Sequence, residues 1–142
     1  MTGKKFFTLL LTIVLVIGCV GTNAGAQDEI VPFSSNYISS TNATIGAPGG
    51  GKIKITGRET ASGVMTSLGV SVIRIYKSDG TFVTRIYGST ANGLIRENAS
   101  TFSGSYTYQG VAGTSYYAIV TFVARNSSGS DTYNMTTSVV KA

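Results

Sequence analysis

The stretch that decides the fold reads Gly113-Thr-Ser-Tyr-Tyr-Ala-Ile-Val-Thr-Phe-Val-Ala-Arg-Asn126. Side chains two residues apart on a strand share a face. One alternating set is wholly apolar or aromatic: Tyr116, Ala118, Val120, Phe122 and Ala124. The other set is mixed: Tyr117, Ile119, Thr121, Val123 and Arg125. A strand this apolar on both faces is typical of a central strand, so we expect the chain after residue 36 to be arranged around it.

Six further strands are predicted from short runs of alternating or β-prone residues between turn signals. With the central stretch, the seven predicted strands are 36–46, 52–58, 70–77, 81–88, 100–109, 113–126 and 131–140. A Gly-rich connection lies at 47–51, and Ser78-Asp79-Gly80 is typical of a hairpin turn. The pattern predicts an all-β, immunoglobulin-like, seven-stranded antiparallel sandwich. We expect the first, second and fifth strands to form one sheet, and the fourth, third, sixth and seventh the other.

Two connecting segments have weaker patterns. Val64, Met65 and Leu68 have helical spacing, which predicts a single helical turn within residues 60–69. Residues 89–98 are predicted to form a loop that turns at Asn92-Gly93.

The segment Tyr106-Thr-Tyr-Gln-Gly-Val-Ala-Gly-Thr-Ser-Tyr116 resembles the tyrosine-corner region of fibronectin type III and related immunoglobulin-like domains. The resemblance implies that the Tyr116 hydroxyl bonds back to an upstream backbone group and that Val111 fills an apolar loop position. The whole chain is also similar to small exported proteins of gut Firmicutes that carry one such domain, a family of unknown function. This resemblance implies a fold and export, and no activity.

The N-terminus has the three parts of a secretory signal peptide. Lys4 and Lys5 are followed by an uncharged apolar run over residues 6–20 and by the cleavage signal Ala24-Gly25-Ala26. We therefore predict a signal peptide at 1–26, a leader at 27–35 and the sandwich domain at 36–142. The expected location is secreted, in the extracellular space.

A second interpretation of the N-terminus concerns its cysteine. Val16-Ile17-Gly18-Cys19 resembles a bacterial lipobox, in which Cys19 is lipidated and the protein is anchored at the cell envelope. Contact with a membrane is expected only in that case. If cleavage follows Ala26, the remaining 116 residues contain no Cys and form no disulfide.

Composition argues against several function classes. The chain has no His, which removes the commonest general base and metal ligand. Glu59 and Glu97 are the only acids predicted to lie in loops of the domain, and nothing in the sequence suggests a cleft between them. Removal of Lys4 and Lys5 with the signal peptide lowers the formal charge from +5 to +3, too little to indicate nucleic acid. We predict a non-enzymatic protein without metal or cofactor.

The strongest functional signal is one outer sheet face. Simple alternation turns the following residues outward: Val72, Arg74, Tyr76, Val83, Arg85, Tyr87, Tyr117, Ile119, Val123 and Arg125. It turns Ile73, Ile75, Phe82 and Ile86 inward. Exposed apolar patches mark interaction sites, and Tyr and Arg are enriched at binding hot spots. The candidate binding residues are Arg74, Tyr76, Arg85, Tyr87, Tyr117 and Arg125, and the expected partner is another protein or a second copy.

Two alternatives remain open at this point. The leader 27–35 or the loop 89–98 could cover that face, or its tyrosines could be there only because Tyr suits strand surfaces. Tyr108 and Gln109 form a rival site, where a Tyr ring beside polar groups could bind a glycan, in a carbohydrate-binding or envelope-attached accessory lipoprotein.

Overall fold

A computed structural model of the chain describes residues 35–142. The predicted signal peptide, Cys19 and residues 27–34 of the leader lie outside the described residues. The strands are β1 (Ile38–Gly49), β2 (Lys52–Met65), β3 (Ser67–Lys77), β4 (Phe82–Tyr87), β5 (Ile95–Arg96), β6 (Ala99–Gln109), β7 (Ser115–Asn126), β8 (Gly129–Thr136) and β9 (Val140–Lys141). The described residues contain no helix, and therefore none that could cross a membrane.

The strands form two antiparallel sheets that pack as a sandwich. One sheet has the order β1-β2-β6, and the other has the order β4-β3-β7-β8. This confirms the predicted all-β antiparallel sandwich and its division into sheets. The short strands β5 and β9 add to β3 and β7 respectively.

The organising strand β7 lies between β3 and β8, as its apolar character predicted. Its five inward side chains, from Tyr116 to Ala124, are each at most 2% exposed. They pack against inward residues of β2, among which Ile53 and Ile55 are fully buried. The interior is therefore built mainly from the alternating sets of β2, β3 and β7.

The predicted tyrosine corner is present. The Val111 N–H donates a hydrogen bond to the Tyr116 hydroxyl over 3.0 Å. The prediction for the Val111 side chain was wrong, because that side chain is 66% exposed. The loop contributes its backbone N–H to the corner, while the interior beneath it is filled by Tyr116 and by Tyr108, whose rings meet edge to face at 6.3 Å.

The helical turn predicted within residues 60–69 was also wrong. Strand β2 continues to Met65, and β3 begins at Ser67. Pairing holds the segment extended, because Ala61 lies opposite Ile38 of β1 and Met65 lies opposite Ala99 of β6. Val64 is 68% exposed, so the helix-like spacing of apolar residues does not reflect a shared buried face.

The hairpin between β3 and β4 contains the predicted turn and an unpredicted bulge. Gly80 has a φ of 92°, and the Thr81 N–H donates to Asp79 Oδ1. The register shifts between the Ile75–Thr84 pair and the Tyr76–Phe82 pair, which leaves Val83 as an extra residue. Phe82 therefore points outward and Val83 packs against the core, the reverse of the orientation that simple alternation predicted.

Candidate interaction face

The outer side of the β4-β3-β7-β8 sheet carries three rows of side chains that run across the strands. The first row, formed by Phe82, Tyr76 and Tyr117, is aromatic. The second contains Arg85, Arg74 and Ile119, and the third contains Tyr87, Val72, Thr121 and Asn134. We call these ten residues the aromatic–arginine face.

The aromatic row is a continuous ring surface. Tyr76 and Tyr117 stack with ring centroids 5.3 Å apart and planes 12° from parallel. Phe82 meets Tyr76 edge to face at 5.6 Å and is half exposed. Both arrangements are favourable for aromatic pairs, so the row is held in place by its own members.

The arginine row places two like charges opposite each other, because Arg74 of β3 is the register partner of Arg85 of β4. Arg74 is half-buried, and its Nη2 donates to Thr121 Oγ1 over 3.1 Å and to Asn134 Oδ1 over 3.4 Å. Among residues 35–142, its buried Nε has no hydrogen-bond partner. In this part of the chain the guanidinium is thus oriented by neutral groups, and no carboxylate compensates its charge.

Arg85 is exposed and is also oriented by neutral groups. Its Nη1 donates to the Tyr87 hydroxyl over 3.3 Å, and its Cζ lies 5.9 Å from the centre of the Phe82 ring. An open depression of about 160 Å³ lies between the two arginines. Its lining residues are Val72, Arg74, Arg85, Tyr87 and Thr121.

The face contains five of the six candidate binding residues. Arg125 is the exception, since it lies four residues beyond Thr121, the last face residue of β7, about 13 Å away at normal strand rise. Val123, which alternation also turned outward, is 6% exposed and therefore offers no contact surface. Alternation missed Phe82 because of the bulge. It placed Thr121 in the outward set of the central strand, but neither Thr121 nor Asn134 was among the residues predicted for the face.

The rival glycan site has a less suitable geometry. Tyr108 is half-buried, and its ring packs edge to face on Tyr116. The Gln109 side-chain amide donates to the backbone oxygens of Gly50 and Gly110. The Tyr108 ring is therefore not open for stacking, and the Gln109 amide group beside it is already engaged.

Larger depressions lie on the outer side of β1 and β2. One of about 370 Å³ lies beside the β1–β2 turn, and one of about 480 Å³ is lined by Asn42, Thr44, Thr56 and Arg58. Both are broad and have mostly short side chains. Volume alone does not make a site, and neither depression contains an aromatic ring.

The acids do not form a catalytic pair. Glu59, predicted to lie in a loop, is on the inward side of β2 and only 2% exposed, while Glu97 is exposed beyond β5. Burial raises the pKa of the Glu59 carboxyl from 4.5 to about 8, and the neighbouring Gly69 N–H offsets only part of this effect. Neither carboxyl oxygen has a partner in hydrogen-bond geometry in the described part of the chain. Within residues 35–142, no three acids come together in a way that could hold a metal ion.

Comparison with known proteins adds no further constraint. No family model matches the chain, and neither a curated protein nor a solved structure matches it.

Proposed function

We propose that the protein is an exported, non-enzymatic interaction module that binds a protein partner, or a second copy of itself, through the aromatic–arginine face. One observation supports this most strongly: three aromatic rings and two arginines reach the surface together in neighbouring rows on one side of the sandwich, whereas the outer side of β1, β2 and β6 has no aromatic ring. Rings and guanidinium groups contribute large contact area for few rotatable bonds, which is why they predominate at binding hot spots.

The rigidity of the face favours the same proposal. Tyr76 and Tyr117 hold each other in a stack, and Arg74 is held by Thr121 and Asn134. Side chains that are fixed before binding lose less conformational entropy when a partner arrives. The face also lies on paired strands, which keep its rows at fixed spacing.

The test is a double variant, Arg74→Ala with Tyr87→Ala. Both side chains line the same depression, and neither contributes to the buried core, so folding should be retained. Proteins captured from the producing cell's surroundings by the wild-type protein should be lost by the variant. The matched control is Lys54→Ala with Arg58→Ala on the outer side of β2, which should retain them.

Self-association is measured separately, by sedimentation of both proteins over a wide concentration range. A dimer formed by the wild type and not by the variant assigns the face to self-association. Unchanged capture and unchanged sedimentation of a folded double variant would contradict the proposed function.

A further inference from the structure

We infer that the partner of the aromatic–arginine face is an acidic segment of another polypeptide, with a carboxylate held between Arg74 and Arg85 and apolar side chains on the rows at either side. This inference rests on the proposed function, because it names the chemistry of the ligand for the same face. It selects an external acidic partner over a second copy.

The first argument is the uncompensated pair of arginines. Like charges directly opposite each other on a sheet are destabilising, and nothing in the fold requires two arginines in one row. A guanidinium binds carboxylate in a planar, two-point geometry. The groups that orient Arg74 occupy only its Nη2, and those that contact Arg85 occupy only its Nη1 and its face. Donors on both groups therefore remain for an anion in the depression.

The second argument is that the described part of the chain has no acid to neutralise them. Four carboxylates lie within residues 35–142, and none is on this face. Glu59 is in the interior, and Asp79 is in the β3–β4 turn, bonded to the Thr81 N–H. Glu97 follows β5, and Asp131 accepts hydrogen bonds from the chain that leads into β1.

A second copy is a poor occupant for the same reason. A two-fold dimer through this face would bring each arginine row towards the arginine row of its mate. Its described carboxylates lie away from the face, so they could not neutralise these charges in such a dimer. Residues 35–142 carry nine Lys and Arg against four Asp and Glu, which adds a general repulsion between copies.

The third argument is the spacing of the rows. Successive rows lie two residues apart along β3 and β7, about 6.6 Å at normal strand rise. Side chains on one face of an extended peptide repeat at the same interval. An extended segment with the pattern apolar-x-acidic-x-apolar therefore fits the aromatic row, the arginine row and the row of Val72 and Tyr87 in turn. A sugar acid could supply the anion, but it has no aliphatic side chains for the flanking rows.

The test is a selection of short random peptides displayed on phage. The target is the full chain expressed in a secreting host and purified in its processed form, with its termini established by intact mass. We expect the share of Asp and Glu among the selected peptides to rise about twofold over the unselected library, because the face is basic. Individual acidic peptides should bind about tenfold more weakly to Arg74→Gln and to Arg85→Gln. Binding should also weaken with added salt.

The matched control is Lys54→Gln with Arg58→Gln, which removes two positive charges from the other sheet. Equal loss in this control would mean that the peptides sense net charge only, and would overturn the inference. Selected peptides without an excess of acids would overturn it too. So would retention of polygalacturonate, a sugar-acid polymer, by the wild type when no peptide is selected.

Further variants separate this inference from the proposed function. If Tyr76→Ala with Tyr117→Ala abolishes binding and the Arg→Gln variants do not, the proposed function stands and the further inference is wrong. The face would then bind a partner without recognising acidic residues in it. If none of these variants changes binding, both proposals are wrong. The leader has its own acids, Asp28 and Glu29. If the wild type binds no peptide and the variant Asp28→Asn with Glu29→Gln binds acidic ones, the leader occupies the face and the inference of an external partner is wrong.

Discussion

The two sheets break the rule of apolar inside and polar outside once each, and in opposite directions. The three-stranded sheet β1-β2-β6 has an outer side of short hydroxyls, amides, lysines and Arg58, with no aromatic ring, and it holds a carboxyl, Glu59, in the interior. The four-stranded sheet has an almost wholly apolar inner side and exposes rings and arginines outside. Such departures from pattern are expected at functional or strained sites.

The buried polar groups of the two sheets also differ. On the four-stranded side, the Tyr116 hydroxyl accepts from Val111, and Thr137 Oγ1 accepts from the Ala118 N–H and donates to the Ser138 oxygen. On the three-stranded side, the Glu59 carboxyl has no such partner. A satisfied polar group can be carried in a core at little penalty, whereas an unsatisfied one is costly when it is charged. The three-stranded sheet therefore carries a pH-dependent weakness that the other sheet lacks.

The largest expected effect is on the pH dependence of stability. The pKa of Glu59 is about 8 in the folded protein against 4.5 for the ordinary group, so the native state holds the proton more tightly between these values. The contribution of Glu59 to the free energy of unfolding should be constant below pH 4.5. It should fall as the pH rises towards 8 and level off above that pH. The slope from this group is at most about 1.4 kcal/mol per pH unit.

Urea unfolding from pH 4 to pH 9 measures this slope. Glu59→Gln should match the wild type near pH 4 and exceed it at pH 9, because Gln keeps the shape of the protonated acid. The control Glu97→Gln changes an exposed acid and should preserve the wild-type slope. A wild-type slope that survives Glu59→Gln would show that another group causes it.

The second effect concerns the satisfied polar group on the four-stranded side. Tyr116→Phe removes the acceptor of the Val111 N–H without removing the buried ring. We expect the free energy of unfolding to fall by about 1–2 kcal/mol, the usual loss for such a hydrogen bond.

Tyr108→Phe is the matched control for the corner. Tyr108 is a neighbouring half-buried ring whose hydroxyl makes no hydrogen bond to residues 35–142. Denaturant titration of both variants should show a clear loss only for Tyr116→Phe. Equal stability of the two would remove the corner as a contributor to this sheet.

The sequence was sufficient to place the seven main strands along the chain, because alternation and turn residues encode them locally, but it missed the short strands β5 and β9. The five inward residues of β7 and the turn at Asp79–Gly80 were predicted in this way and confirmed. The helical turn was wrong because Met65 and Leu68 are buried from two different strands, which only long-range pairing determines.

The candidate site was predictable where side chains alternate regularly along a strand, and unpredictable where a bulge interrupts the alternation. Arg74, Tyr76 and Tyr117 were assigned correctly to the outer side by counting alternate residues. The bulge at Val83 could not be seen, since Phe82 and Val83 are both apolar and either could face inward. Glu59 did leave a signal, because it continues the inward parity of Ile53 and Ile55, but the predicted strand ended just before it, at Arg58, whereas β2 continues to Met65.

The smallest effect comes from placing an aromatic pair on the other sheet. Thr56 of β2 and Ser105 of β6 are register partners, and both face outward. Thr56→Tyr with Ser105→Tyr should raise the free energy of unfolding by about 0.2–1 kcal/mol, because cross-strand aromatic pairs are favourable. The new pair would lie on the same sheet face as Lys54 and Arg58, but without a second aromatic row or a facing arginine pair.

If the combination of rows makes the binding face, this variant, with Arg74→Ala and Tyr87→Ala added, should still fail to capture the partner. Restored capture would mean that any exposed pair of rings is enough, and the difference between the two outer sides would then have no bearing on specificity.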